Sequence, residues 1–171
     1  LSASDSDLPA NGLTFGLVSG PIGMTVSGVG VLAWTPGETD GPSTNTVMVK
    51  ATDNGVPPLS MTNQFTVIVR EANGAPAFVG LTNATVPELV LYSQTLSGSD
   101  GDVPLQALSF SMVAGPAGSG VTNGVFGWVP GENQGPSTNE VLVAVSDGLV
   151  SATNTFTVIV TEVNVAPVLA T

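Results

Sequence analysis

Phe156-Thr157-Val158-Ile159-Val160 reproduces Phe65-Thr66-Val67-Ile68-Val69 residue for residue, 91 positions apart. In an extended chain successive side chains point to opposite faces. Phe156, Val158 and Val160 therefore share one side, with Thr155, Thr157 and Ile159 on the other. The period is that of a half-buried β-strand, and a recurring strand means a recurring fold. Working outward, Glu71-Ala72-Asn73-Gly74-Ala75-Pro76 returns as Glu162-Val163-Asn164-Val165-Ala166-Pro167. Upstream, Trp34-Thr35-Pro36-Gly37-Glu38 matches Trp128-Val129-Pro130-Gly131-Glu132, and Gly41-Pro42-Ser43-Thr44-Asn45 matches Gly135-Pro136-Ser137-Thr138-Asn139, both 94 positions on. Asp5-Ser6-Asp7 returns as Asp100-Gly101-Asp102 after 95. The small changes in spacing fall in Gly/Pro/Ser loops, where insertions are tolerated.

The remaining apolar stretches are short, rich in Val, Thr and Phe, and bounded by Gly, Pro and Asn, which reads as strands. They fall at 13–18, 24–27, 30–35, 45–52 and 61–71, then at 84–86, 91–97, 107–113, 120–128, 139–146 and 152–162. No window carries a helical stripe. About seven strands per repeat predicts an all-β chain of tandem Greek-key sandwiches arranged end to end. The phase of the repeat predicts a sandwich lacking its first strand over 1–73, a complete one over 74–163, and the start of a further repeat over 164–171. By this reading the chain is an excerpt of a longer array. An unpaired sheet edge in the first repeat is then expected to be covered by a preceding segment or by a second copy, head to tail.

Composition narrows the chemistry. The 171 residues include no His and no Cys, so there is no imidazole base, thiolate, disulfide or usual zinc site. Thirteen acidic residues face only Lys50 and Arg70, a net charge of −11. This argues against nucleic acid or an anionic membrane as partner. No run of about 20 apolar residues occurs, so no segment is expected to enter a membrane. No Ser is a credible nucleophile without a base. A carboxylate pair of the glycosidase kind is disfavoured, because the acids recur in both repeats and at turns. The chain is therefore read as non-enzymatic. Trp34 and Trp128 recur among apolar strand residues, which favours core packing over a sugar-stacking platform.

The acids follow the repeat. Asp5/Asp100, Asp7/Asp102, Glu38/Glu132, Asp53/Asp147 and Glu71/Glu162 are equivalent pairs, and Glu88 lies in the segment that the first copy lacks. Only Asp40 and Glu140 stand apart. Carboxylates gathered at turns and repeat boundaries repel one another unless a cation sits among them, and hard oxygen ligands of this kind suit calcium. The alternative is a set of solvated acids capping turns.

Ala51-Thr52-Asp53-Asn54-Gly55-Val56-Pro57-Pro58-Leu59-Ser60 resembles the Ala-x-Asp-x-Gly-x-Pro-Pro-Leu-Ser signature of cadherin repeats. The two Asp-x-Asp triplets, Val86-Pro87-Glu88, Glu38 and Glu132, and the shortened linker Glu71–Pro76 are similar to further elements of that family. The Gly-Pro and Trp-x-Pro-Gly elements resemble bacterial cadherin-like and immunoglobulin-like repeats of large surface proteins. The resemblance implies calcium at repeat junctions. Glu38, Glu71, Asn73, Asp100, Asp102 and Asp147 would serve the one complete junction. Asp5, Asp7 and Asp53 would serve the preceding one, and Glu88, Glu132, Glu162 and Asn164 the following one. The linker has Gly74 and Ala75 where the family carries Asp and Asn, so fewer ions are expected than the family's three. The function implied is a calcium-stiffened stalk, adhesin shaft or filament on a bacterial surface. Its partners would be neighbouring repeats, copies of itself, or a cell-surface or glycan ligand. The competing class is a glycan-binding or spacer module of a secreted protein.

Overall fold

The computed structural model describes residues 1–169; the last two residues of the 164–171 stretch lie outside them. The chain is all-β, with 14 strands and a single 3₁₀ turn among these residues. It divides into two compact units, Leu1–Glu71 and Ala72–Thr171.

Unit 1 is built from β1 (Leu13–Ser19), β2 (Thr25–Val26), β3 (Leu32–Ala33), the 3₁₀ turn Glu38–Asp40, β4 (Ser43–Asp53) and β5 (Ser60–Val69). Strands β1, β4 and β5 form an antiparallel sheet in that order, and β2 pairs with β3. The core is small: Met24, Val47 and Val49 are buried, with Leu17, Val26, Leu32, Trp34 and Val67 packed against them.

Unit 2 contains β6 (Ala77–Val79), β7 (Ala84–Pro87), β8 (Tyr92–Thr95), β9 (Ser97–Ser99), β10 (Ser109–Ala114), β11 (Gly120–Thr122), β12 (Val125–Trp128), β13 (Ser137–Ser146) and β14 (Ser151–Thr161). One sheet has the order β10-β13-β14-β7, with β7 parallel to β14; the other has the order β11-β12-β8. Val141, Val143, Phe156, Val158 and Val160 from the first sheet meet Phe126 and Trp128 from the second in a single core. The strand period explains the sorting: Phe156, Val158 and Val160 are inside, while Ile159, on the opposite face, is exposed. Phe126 packs edge-on to Phe156 at 5.2 Å between ring centres.

Three details depart from the expected strands. The stretch 120–128 is a hairpin, β11 and β12, because Asn123 (φ 49°) and Gly124 (φ 75°) form a tight two-residue turn. The stretch 91–97 changes sheet at Leu96, whose N–H donates to the Gly124 carbonyl, so β8 pairs with β12 and β9 with β6. Strand β6 is absent from the expected set; at three residues it is too short to show a period. No helix among the described residues is long and apolar enough to cross a membrane.

Candidate metal centres

Unit 2 contains no Lys or Arg, yet it carries seven carboxylates. Six of them lie in two groups. One group, Asp100, Asp102 and Asp147, offers a carboxylate oxygen apiece, all within 4.8 Å of one another, and so does the other, Glu88, Glu132 and Glu162. Asp147 precedes β14 and Glu162 follows it. Eleven strand residues at about 3.3 Å each separate the two groups by roughly 35 Å. The unit thus bears one acidic centre at each end of its longest strand.

The aspartate centre is assembled by turns. Asp102 N–H donates to Asp100 Oδ1 at 3.0 Å, the local side-chain-to-backbone bond expected of Asp-x-Asp. Asp147 Oδ1 accepts the Leu149 and Val150 N–H groups at 2.6 and 2.7 Å, closing the β13–β14 hairpin. The segment before β6 then ties both sides together. Gly74 N–H donates to both Asp102 oxygens (2.9 and 3.1 Å), Asn73 Nδ2 donates to Asp147 Oδ2 (2.9 Å), and Gln106 Nε2 donates to Asn73 Oδ1 (2.8 Å). Asp102 and Asp147 are buried, and two oxygens facing this region, Asp100 Oδ2 and Gln106 Oε1, are buried without a hydrogen-bond partner. The Val150 N–H and the Asn73 amide hold the Asp147 carboxyl below its ordinary range.

The glutamate centre is built around Glu88, which is fully buried. Its N–H donates to the Thr161 carbonyl and its Oε1 accepts Val163 N–H at 2.9 Å, whereas Oε2 is buried without a partner. Glu132 and Glu162 are exposed. Partial desolvation, followed by the charges of Glu88 and Glu132, pushes the Glu162 carboxyl above its ordinary value. The sign of the pH effect follows. A carboxyl raised in the folded state favours folding when protonated, and that contribution is lost as pH rises through the folded value. Asp147 acts oppositely, its contribution being lost only as pH falls below the normal 3.8. In chelator, unit 2 is expected to gain stability as pH falls from neutral toward the ordinary glutamate value of 4.5, and to lose it below 3.8. A melting series against pH checks this.

Gly135 makes room for the buried carboxylate. A Cβ built there would lie 2.7 Å from Glu88 Oε2, a distance that forces a shift. At Gly41, its repeat equivalent, a Cβ would meet only Val69 Cγ1 at 3.1 Å and backbone beyond 3.4 Å. Gly135→Ala is therefore expected to destabilise unit 2 by about 1–3 kcal/mol, and Gly41→Ala to cost unit 1 less. Urea unfolding of the two variants distinguishes them.

In unit 1, Glu38 and Glu71 offer carboxylate oxygens within 4.8 Å of each other. Asp5, Asp7 and Asp53 do not converge to that distance. They make the same turn bonds as their equivalents, Asp7 N–H to Asp5 Oδ1 at 2.7 Å and Gly55 N–H to Asp53 Oδ1 at 2.9 Å. What unit 1 does not contain, among its described residues, is a counterpart of the Asn73–Gly74 clamp. Asn164, predicted as a ligand, is exposed in the coil after β14. Asp40, which has no acidic equivalent, braces its own turn, since its Oδ2 accepts Gly37 N–H at 2.8 Å, as Gln134 Oε1 does for Gly131. Both tryptophans pack inward, Trp128 fully and Trp34 partly. Sequence reasoning does not reach Gln106 or Gly135. Gln106 carries no sequence signal, and the signal for Gly135 is its recurrence in Gly-Pro-Ser-Thr-Asn, a stretch that on sequence alone reads only as a loop.

No family model matches the chain, and no curated protein matches it. Solved structures do. A four-domain extracellular fragment of protocadherin gamma B2 (cadherin domains 3–6) aligns over 95% of this chain and 46% of its own length, with 21% identity and a TM-score of 0.54. Human CDH23 EC21-23 aligns over 90% of this chain and 52% of its own, with 20% identity and a TM-score of 0.58. Human protocadherin-24 EC1-2 aligns over 92% and 85%, with 15% identity and a TM-score of 0.57. The chain spans about half, or less, of the first two. The fold is cadherin-like.

Proposed function

We propose that this chain is a non-enzymatic, calcium-binding repeat module of an extracellular stalk, adhesin shaft or filament. The observation carrying the proposal is that six of unit 2's seven carboxylates gather in two centres, in a unit with no basic side chain to neutralise them. Two like unit charges about 4–5 Å apart, at an effective dielectric of about 20, repel by roughly 3–4 kcal/mol. Burial adds to the cost of charge at Glu88, Asp102 and Asp147. A divalent ion reverses the sign of the balance, and a donor set consisting entirely of oxygen favours calcium over zinc or iron. The unpartnered oxygens of Glu88, Asp100 and Gln106 support the same reading, since buried oxygens of this kind call for a donor or a cation.

The ligands proposed are Asp100, Asp102 and Asp147 with Asn73, then Glu88, Glu132 and Glu162, and in unit 1 Glu38 and Glu71. Asp5, Asp7 and Asp53 would require a clamp like Asn73–Gly74 before serving. The function follows from linkage. An ion bound only by the folded form stabilises it, and carboxylates drawn together at the ends of repeats resist bending and unfolding. With neither disulfides nor a large core in unit 1, ions are the available reinforcement. Neighbouring repeats are then the immediate partners, and an extracellular, calcium-rich setting is where sites of modest affinity fill.

Calorimetric melting with and without calcium tests the proposal. At a hundredfold excess over Kd, one site contributes about 2.7 kcal/mol. For a domain of this size each kcal/mol raises Tm by about 4–8 °C. A rise of about 10 °C or more that EDTA reverses is expected, with magnesium much less effective. Superimposable melts in calcium and EDTA would overturn it.

A further inference from the structure

The two units share a fold but not a set of strands. β1, β4 and β5 correspond to β10, β13 and β14, and the β2–β3 pair corresponds to β11–β12. Four strands of unit 2 have no counterpart among the described residues of unit 1: β6, β7, β8 and β9. The first three come from one continuous stretch, Ala77–Thr95, and β9, which pairs with β6, follows at Ser97–Ser99. In unit 2 that stretch extends both sheets, β7 beside β14 and β8 beside β12. It also fills the core, with Val86 buried, Phe78 packed 5.9 Å from Phe110, and Tyr92 packed 6.0 Å from Phe126.

Unit 1 is open at the corresponding places. Phe65 is 38% exposed where Phe156 is 3% exposed. Phe15, Val49, Met61 and Phe65 line a pocket. Phe15 is the equivalent of Phe110, against which Phe78 packs in unit 2. The outer edge of β5 is free of any strand partner among the described residues, and its polar groups face the vacant side. In unit 2 the Thr157 N–H points at the β7 side, donating to Asn83 Oδ1 at 2.8 Å. Thr66 holds the same position in β5.

We propose that the flank of unit 1 formed by the β5 edge and the pocket beside it is a strand acceptor, and that its occupant is an extended repeat segment with the chemistry of residues 75–95. Such a segment brings an aromatic for the Phe15/Phe65 pocket, a β-branched residue for the sheet interior at the position of Val86, and a strand that runs parallel to β5. Specificity comes from the pockets and binding energy from the ladder, as in other strand additions. A glycan or a helix offers neither a ladder of backbone donors nor the alternating side chains that this flank matches. The inference rests on the two units' pairing patterns and is independent of calcium.

A synthetic peptide of residues 75–95, titrated in excess EDTA into the 171-residue chain, tests it without involving the metal centres. Saturable one-to-one binding is expected, with a blue shift of Trp34 emission and slower hydrogen exchange confined to residues 13–69. A Val86→Asp peptide is expected to bind at least tenfold more weakly. Thr66→Pro in the chain removes the edge N–H and is expected to weaken binding similarly. The altered peptide decides the matter even if that variant folds poorly. Equal binding of a scrambled peptide, no binding, protection appearing in unit 2, or a β5-to-β5 dimer that the peptide does not dissolve would each overturn the proposal.

Discussion

Asp102→Ala is expected to abolish most of the calcium-dependent rise in the melting temperature of unit 2, and to lower that temperature even in EDTA. The two losses have separate causes. In EDTA, the variant leaves Gly74 N–H without the carboxylate that accepts it at 2.9 and 3.1 Å. Gly74 is exposed, so water takes up part of that bond and its loss costs about 0.5–1.5 kcal/mol. In calcium, the variant also removes one of three anionic ligands from the Asp100, Asp102 and Asp147 centre. Asp102→Asn separates the effects, because the amide oxygen keeps the bond to Gly74 while the charge is gone. It is expected to melt near the parent in EDTA and to gain little from calcium. Calorimetry of the three proteins in both buffers measures this. Should Asp102→Ala keep the parent's full calcium increment, Asp102 would be a turn clamp only, and the aspartate centre would not bind the ion.

That separation also bounds what can be read in the sequence. Strands β4, β5, β13 and β14 are legible because each is at least ten residues long and alternates on a two-residue period. Every member of the two acidic groups of unit 2 except Glu88 stands out in the sequence, because equivalent acids recur at fixed spacing. They are not legible in depth. Nothing in Val86-Pro87-Glu88 indicates that Glu88 is fully buried with one oxygen unpartnered, since burial is decided by β14 and the Gly135 turn passing over it. The turn role of Asp100 and Asp147 and their place in a centre coexist, so the two readings of the acids are not exclusive. The difference between that group and Asp5, Asp7 and Asp53 is invisible for a related reason: Asn73 and Gly74, which bond to Asp147 and Asp102, lie outside the Asp-x-Asp motif. Strands β2 and β3 fall within the stretches expected at 24–27 and 30–35, whose bounding Gly and Pro mark them, whereas β6 carries too few residues to establish a period and only its partner defines it.

Truncating the two repeat-equivalent tryptophans is expected to give unequal costs, although their sequence contexts are almost the same. Trp128 is 1% exposed, lies in the cluster with Phe126, Val141 and Phe156, and donates from Nε1 to the Ala117 carbonyl at 3.2 Å. Trp128→Ala leaves a large cavity in a close-packed core and is expected to destabilise unit 2 by about 3–5 kcal/mol. Trp34 packs against the smaller cluster of Met24, Val47 and Val49 and is only half-buried. With part of its surface already in water, Trp34→Ala removes less buried area, and a cost of about 1–2 kcal/mol to unit 1 is expected. Urea unfolding followed by hydrogen exchange in each unit measures both. The comparison bears directly on the acceptor flank. If the 75–95 peptide closes unit 1 as β6–β8 close unit 2, adding it must raise the cost of Trp34→Ala toward that of Trp128→Ala. Equal costs without any peptide would mean that the unit 1 core is already sealed in solution, and that its exposed Phe65 edge has no need of a donor.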